Sequence, residues 1–80
     1  MRNIGRLSEL RKGQKALVLD IFSSGDMRRR LQDLGLICGT KIVCVGKSPL
    51  GDPSAFLIRG AVIALRCEDS SCVQIQCSEA

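Results

Sequence analysis

The chain has 80 residues, of which 45% are hydrophobic and 25% charged, and its formal net charge is +4. This length allows one small domain, and the composition excludes a disordered chain. No apolar run approaches the roughly 20 residues of a transmembrane helix, and no apolar segment follows the charged N-terminus as in a signal peptide. We therefore expect a soluble cytoplasmic protein that does not insert into a membrane.

Five short strands are indicated by runs of aliphatic residues between turn signals. They cover residues 15–22, 41–47, 55–59, 62–66 and 72–76. One helix lies between the first two strands, in the segment 27–36. Short, mostly antiparallel strands without room for a sandwich favour a small, partly open barrel, which removes most sheet edges. We predict a mainly β fold in a single domain over 1–80, with its core at about 7–76.

Local signals define the connections. Leu7 and Leu10 flank a predicted helical turn or tight loop and point to the core. Residues 49–53 are a predicted turn. Gly60 and Ala61 have the spacing of a hairpin loop, and residues 68–71 form a polar turn.

The helix begins and ends with recognisable residues. Ser23 and Asp26 have the spacing of a capping box, and Asp26 precedes Arg30 by four residues, as in a surface ion pair. Gly35 fits the position after the helix where a left-handed conformation is required. That position makes Leu31 and Leu36 the two residues that touch across a Schellman turn.

One face of the helix is apolar and the other is basic. Met27, Leu31 and Leu34 recur at helical spacing and form the apolar face. We expect Arg30 to lay its stem on the core and Arg28 and Arg29 to point outward. Such arginines form a solvated face, bind an acidic protein or anionic membrane surface, or neutralise the phosphates of nucleic acid.

Several strands are apolar on both faces. In the first strand Ala16 and Val18 point one way, and Leu17 and Leu19 point the other. Either the helix and the N-terminal segment cover the second face, or that face is an exposed interaction surface. The second face carries Leu17, Leu19, Val43, Val45, Ala55 and Leu57.

The residues needed for catalysis or metal binding are scarce. The chain contains no His, which is the commonest general base and the commonest metal ligand. Its five cysteines are an odd number, and Cys67, Cys72 and Cys77 lack the close pair typical of zinc sites. We predict no enzyme, no cofactor and no metal site, and treat the thiols as reduced. Asp52, Glu68 and Asp69 are interpreted as turn and solvent groups.

Four motifs together resemble the FeoA family, the small cytoplasmic component of bacterial ferrous-iron transport. The similarity runs from about Leu7 to about Gln76. The motifs are Leu7-x-x-Leu10-x-x-Gly13, Arg29-Arg30-Leu31-x-x-Leu34-Gly35-Leu36-x-x-Gly39, Pro49-Leu50-Gly51-Asp52-Pro53, and Arg59-Gly60 leading to Ala64-Leu65-Arg66.

This resemblance implies an SH3-like barrel and a non-enzymatic accessory or regulatory role on the membrane iron permease that has a GTP-binding domain. Only six residues precede Leu7, which implies the free-standing form of the domain. The motif residues with an expected structural role are Leu31, Leu34, Gly35, Leu36, Gly39, Gly51, Asp52, Pro53, Gly60, Leu65 and Arg66.

The predicted partner-binding residues are Arg28, Arg29, Leu17, Leu19, Val43, Val45 and Leu57. Two-sided aliphatic strands also leave a homo-oligomer open. The alternatives are a small basic nucleic-acid-binding barrel, which the near absence of aromatic residues disfavours, and a thiol-based transition-metal-binding protein.

Overall fold

A computed structural model describes residues 4–49 and 52–78 of the chain. The described residues form six strands and two helices: β1 (Ile4–Arg6), β2 (Lys15–Ile21), α1 (Gly25–Asp33), β3 (Lys41–Lys47), β4 (Ser54–Ile58), β5 (Ala61–Leu65), α2 (Cys67–Ser70) and β6 (Val73–Ser78). A 3-10 turn over Leu7–Glu9 follows β1. Leu50 and Gly51, in the predicted turn before β4, lie outside the described residues.

All six strands pair antiparallel in one sheet, in the order β1-β6-β2-β3-β4-β5. In the part of the chain that the structure describes, β1 and β5 do not pair with each other, so the barrel is partly open. The mainly β fold is confirmed. The sixth strand, β1, was not predicted, because three residues are too short to show an alternating pattern.

The inner face of the sheet forms the hydrophobic core. In β2, Ala16 and Val18 are buried whereas Leu17 and Leu19 are only half-buried, as the alternation predicts. Leu7 and Leu10 are also buried at the two ends of the 3-10 turn, as predicted. The remaining buried apolar residues are Ile21, Leu31, Leu36, Ile42, Cys44, Phe56, Ile58, Leu65, Val73 and Ile75.

The start of α1 differs from the prediction. Ser24, not Ser23, is the N-cap residue, and it makes no side-chain capping hydrogen bond. The chain leaves β2 in an extended conformation that persists through Ser24, so the helix begins at Gly25. Asp26 still lies in the first turn, near the positive end of the helix dipole. The one ion pair among the described residues joins Arg28 to Asp20 rather than Asp26 to Arg30.

The end of α1 is a Schellman turn, as predicted. The Leu36 N–H donates to the Leu31 carbonyl at 3.1 Å, and the Gly35 N–H donates to the Gln32 carbonyl at 2.9 Å. Gly35 has a φ of +104°. Leu31 and Leu36 are both buried, which anchors the helix exit in the core.

α1 lies alongside the β4–β5 hairpin. At its end, Gly35 is so close to Arg59 and Ile58 that an added Cβ would be 2.8 and 3.2 Å from their side chains. At its start, Met27 and Arg30 line a groove together with Ala64. The apolar residues Met27, Leu31 and Leu34 pack against the core along this length.

Two connections were predicted in the wrong form. The β4–β5 loop is Arg59–Gly60, not Gly60–Ala61, because Ile58 pairs with Ala61. Arg59 and Gly60 both have positive φ, +50° and +85°, as a type I′ hairpin turn requires. The predicted polar turn at 68–71 is instead the short helix α2.

The α2 region also contains buried polar groups. Asp69 is only 6% exposed and is therefore not the solvent group that was predicted. The Ser70 hydroxyl donates to the Arg66 carbonyl at 3.2 Å. Asp52 is distant from α2 in sequence but contacts it, because its Oδ1 accepts the Cys67 N–H at 2.8 Å. No helix in the described ranges is long and apolar enough to cross a membrane.

Candidate interaction surface

The face of β3, β4 and β5 directed away from the core is apolar across all three strands. Val43 pairs with Leu57, and Leu57 pairs with Val62. Ala55 and Ala64 form the next row, and Val45 is exposed at an irregularity in β3. We call Val43, Val45, Ala55, Leu57, Val62 and Ala64 the outer patch. Its edge residue Val62 is 65% exposed.

Basic side chains border the outer patch. Lys15 pairs with Val43, and Lys41 pairs with Leu17. Two shallow depressions share Lys41 and Val43: one extends to Leu57 and Arg59, and the other extends to Lys15 and Leu17. Strands β3, β4 and β5 contain no Asp or Glu. This surface therefore combines apolar area with positive charge, which complements a partner that is apolar and acidic.

The second face of the strands is only partly covered. Leu17, Leu19, Val43 and Leu57 are half-buried, whereas Val45 and Val62 are exposed. α1 lies against the inner side at the hairpin, and β1 pairs with β6 at the far end of the sheet. The outer patch is consequently open to solvent at its β5 end.

Leu19 and Arg28 form a separate cluster beside α1. They line a small depression with Gln32, Ile37 and Cys38. Arg28 does not point outward as predicted: its Nη1 donates to the Ile21 carbonyl at 2.7 Å, and its Nη2 is 4.0 Å from Asp20. The carbonyl at the end of β2 attracts the guanidinium and holds it against the protein.

The other two arginines of α1 also differ in environment. Arg29 is exposed, as predicted, and lines none of the described depressions. Arg30 is exposed and lines the groove beside Met27 and Ala64. Of the predicted partner-binding residues, the structure thus brings together Leu17, Val43 and Leu57, with Val45 nearby.

The motif residues occupy structural positions. Gly35, Gly39 and Gly60 have positive φ, and Leu31, Leu36 and Leu65 are buried. Leu34 packs partly against the core. Arg66 is the N-cap residue of α2, and Asp52 accepts a backbone N–H of that helix. Pro53 precedes β4.

Sequence reasoning did not select Val62, Ala64, Lys15 or Lys41. The signal that could have found them is the run Ala61–Leu65, which is uncharged, contains no Pro and forms the last strand of the sheet order. An edge strand of a soluble protein usually carries Lys, Pro or a bulge that prevents pairing with another chain. Their absence from β5 makes this strand a candidate for interaction.

The five thiols are spread over the fold. Cys44 is buried, Cys38 and Cys67 are exposed, and Cys72 and Cys77 are half-buried. Across residues 4–49 and 52–78, no group of three or more His, Cys, Asp or Glu residues is placed to hold a metal ion.

Comparison with known proteins gives consistent matches. The model of the FeoA domain family matches residues 5–77. The Fe(2+) transport protein A/Fe(2+) transporter FeoB fusion protein of Porphyromonas gingivalis is 32% identical over 71 residues. That alignment covers 89% of this chain but only 8% of the fusion protein.

Two solved structures are similar over most of the chain. The FeoA-like protein of Clostridium acetobutylicum has a TM-score of 0.90 at 30% identity, over 100% of this chain and 93% of that protein. The FeoA of Stenotrophomonas maltophilia, described as a prokaryotic SH3 domain protein and complexed with zinc, has a TM-score of 0.78 at 28% identity. That match covers 88% of this chain and 87% of the other.

Proposed function

The chain belongs to the FeoA family, and from this membership we propose that it is a non-enzymatic accessory protein of ferrous-iron uptake. In this role it acts in the cytoplasm as an interaction module. Its partner is the cytoplasmic GTP-binding domain of the membrane iron permease. The protein regulates or supports the permease by binding to it and does not perform chemistry on the iron.

The covalent fusion in Porphyromonas gingivalis carries this proposal. In that protein a segment 32% identical to this chain is joined to the Fe(2+) transporter FeoB. A covalent link keeps two domains at a high effective concentration, which is useful when they work in contact. The same partnership between separate chains requires a binding surface on each of them.

The outer patch and its basic border supply such a surface on this chain. Leu17, Val43, Val45 and Leu57 provide apolar area, and Lys41 provides a charge among them. Leu19 and Arg28 form a separate cluster beside α1, where Arg29 is exposed. We expect the apolar residues to provide most of the affinity and the basic residues to accelerate association.

Calorimetric titration of this chain with the purified cytoplasmic domain of the permease tests the proposal. We expect binding by the wild-type chain and a loss of at least about tenfold in affinity for Leu57→Glu, which corresponds to about 1.4 kcal/mol. In stopped-flow mixing, the double variant Arg28→Glu/Arg29→Glu should associate more slowly and with a weaker dependence on salt, because it removes positive charge that attracts the partner.

Ile4→Glu is the matched control, because Ile4 is an exposed aliphatic residue of β1, at the sheet edge opposite β5. It introduces the same charge and should bind like the wild type. Absence of binding by the wild-type chain would contradict the proposed partnership. Equal binding by Leu57→Glu and Ile4→Glu would contradict the proposed surface.

The nucleic-acid alternative predicts affinity for duplex or single-stranded nucleic acid that falls steeply with added salt. The positive charges of the outer face alternate with aliphatic residues, and the chain offers only two Phe for base stacking. No observation in the structure favours this alternative over a protein partner.

A further inference from the structure

The outer edge of β5 is an unprotected sheet edge. β5 is last in the strand order, and among the described residues it pairs only with β4. Its five residues, Ala61–Leu65, include no charge, no Pro and no register shift against β4. Isolated edges of this kind favour pairing with another extended chain.

The hairpin register shows which backbone groups face outward. In a hairpin with a two-residue loop, the residues that flank the loop form a hydrogen-bonded pair, and such pairs alternate along the strands. Ala61, Ile63 and Leu65 therefore direct their N–H and C=O groups toward β4. Val62 and Ala64 direct theirs away from the sheet, and both residues are exposed.

A groove runs beside part of the β5 edge. Ala64 and Arg66 line it together with Met27 and Arg30 of α1, and Pro53, Glu68 and Asp69 complete its lining. The groove has a volume of about 460 Å³, which lies in the range of ligand-binding clefts. It provides apolar contact at Met27 and Ala64 and positive charge at Arg30 and Arg66.

The side chains of an added strand would meet two different surroundings. One set would extend the cross-strand row Val43, Leu57 and Val62, which is apolar. Lys41 and Arg59 lie beside this row. The groove contains Arg30 and Arg66 together with Glu68 and Asp69 of α2, so basic residues outnumber acidic ones over the two regions. A second copy of this chain would bring the same positive charges together. The surroundings thus favour an acidic segment.

We propose that the β5 edge is a strand-addition site, which takes an extended segment of the permease's cytoplasmic domain in which aliphatic residues alternate with acidic ones. This inference rests on the proposed function, because that function supplies the partner. The added strand forms backbone hydrogen bonds with Val62 and Ala64. Its aliphatic side chains continue the outer patch, and its carboxylates contact the neighbouring arginines.

The test uses two probes, the purified cytoplasmic domain of the permease and a capped heptapeptide in which valine alternates with aspartate and glutamate. For each probe we measure the dissociation constant and the hydrogen exchange of the Val62 and Ala64 amides in the isotopically labelled chain. Both probes should bind and slow the exchange of these two amides. A peptide with lysine in place of the acidic residues should bind at least about tenfold more weakly, or about 1.4 kcal/mol.

Variants of one residue separate the backbone from the side chain. Val62→Pro removes the outward N–H and should lower affinity for both probes by about tenfold or more. Val62→Ala keeps the N–H and should lower the affinity for both probes less than Val62→Pro does. Val62→Glu keeps the N–H as well, leaves the β4 pairing intact and repels an acidic strand, so it tests the site even if Val62→Pro does not fold. Ile4→Glu, on the opposite sheet edge, should bind like the wild type.

The outcomes distinguish this inference from the proposed function. Tight binding of the permease domain with unchanged exchange at Val62 and Ala64, and with no effect of Val62→Glu, overturns strand addition but retains the partnership. Binding of the acidic peptide at the edge without binding of the domain supports the site and overturns the permease as its partner. A solution dimer of the wild-type chain that Val62→Glu dissociates identifies a second copy as the occupant, and overturns the acidic segment.

Discussion

Gly35 is subject to two independent constraints. Its φ of +104° closes the Schellman turn, a conformation that strains residues with a Cβ. The space where a Cβ would lie is also occupied, by Arg59 at 2.8 Å and Ile58 at 3.2 Å. Gly39 has a similar φ of +91°, but nothing lies within 4 Å of the corresponding position.

The pair of variants Gly35→Ala and Gly39→Ala separates these constraints. Left-handed strain should lower the free energy of unfolding by roughly 1–2 kcal/mol at either position. Crowding against Ile58 and Arg59 should add about 1 kcal/mol or more at Gly35 only. Urea denaturation measures the free energy of unfolding of both variants. Equal losses would show that the β4–β5 hairpin can shift to accommodate the added Cβ at Gly35 without a loss of stability.

Arg28 and Arg29 are neighbours in the sequence but should respond differently to substitution. Arg28→Ala removes the hydrogen bond to the Ile21 carbonyl and should lower the free energy of unfolding by about 1 kcal/mol. Arg29→Ala alters an exposed side chain and should change it by less than about 0.5 kcal/mol. Thermal unfolding of the two variants checks this order, and a larger loss for Arg29→Ala would contradict it.

Residue-level prediction from sequence succeeded where the interactions are local. The Schellman turn depends on residues 31–36 alone, so its glycine and leucines could be read from their spacing. The position of Arg28 could not be read in this way, because its partner is the carbonyl at the end of the preceding strand. Likewise, Asp69 is polar in sequence but buried by the tertiary packing of α2.

At the scale of elements, α2 depends on a residue far from it in sequence. This helix has four residues, and its N-cap Arg66 makes no side-chain capping bond. Asp52 supplies an acceptor instead, through Oδ1 to the Cys67 N–H. A carboxylate at this end also interacts favourably with the N-terminal N–H groups of the helix.

Asp52→Ala should therefore lower the free energy of unfolding by about 1 kcal/mol, the usual effect of losing an N-terminal cap. Asp52→Asn keeps an oxygen acceptor, so its free energy of unfolding should fall by less than half as much as that of Asp52→Ala. Chemical denaturation of both variants provides the measurement. Equal losses for Ala and Asn would indicate that the hydrogen bond to Cys67 contributes nothing.

Element types were predictable from the sequence, and their connections were less so. The five longer strands follow clear aliphatic runs, whereas β1 is three residues long and is defined by its pairing with β6. The β4–β5 loop was misplaced by one residue, because Gly60 fits either position of a two-residue turn. Only the register against β4 shows that Arg59 also adopts a positive φ.

At the scale of the whole molecule, the sequence predicted the part of the candidate surface that lies on β2, β3 and β4. Two-sided aliphatic strands pointed to Leu17, Val43, Val45 and Leu57. The strand order, which no local pattern contains, makes β5 an edge and so adds Val62 and Ala64. The same long-range order separates Leu19 and Arg28 from the outer patch.

The thiols provide a further test of the whole fold. We expect Cys38 and Cys67 to react rapidly with a thiol reagent in the native protein, and Cys44 to react only after unfolding. Titration with zinc should not change the rates at which Cys38 and Cys67 react with the thiol reagent. Protection of these two thiols by one equivalent of zinc would instead support the thiol-based metal-binding alternative.

The outer face of β3, β4 and β5 is the surface that we propose for binding the permease. Amide chemical-shift mapping of the isotopically labelled chain during titration with the permease's cytoplasmic domain tests this directly. We expect the largest shifts in β3, β4 and β5, around Val43, Leu57 and Val62. Shifts confined to α1 around Arg29, or no shifts at saturating concentrations of the domain, would contradict it.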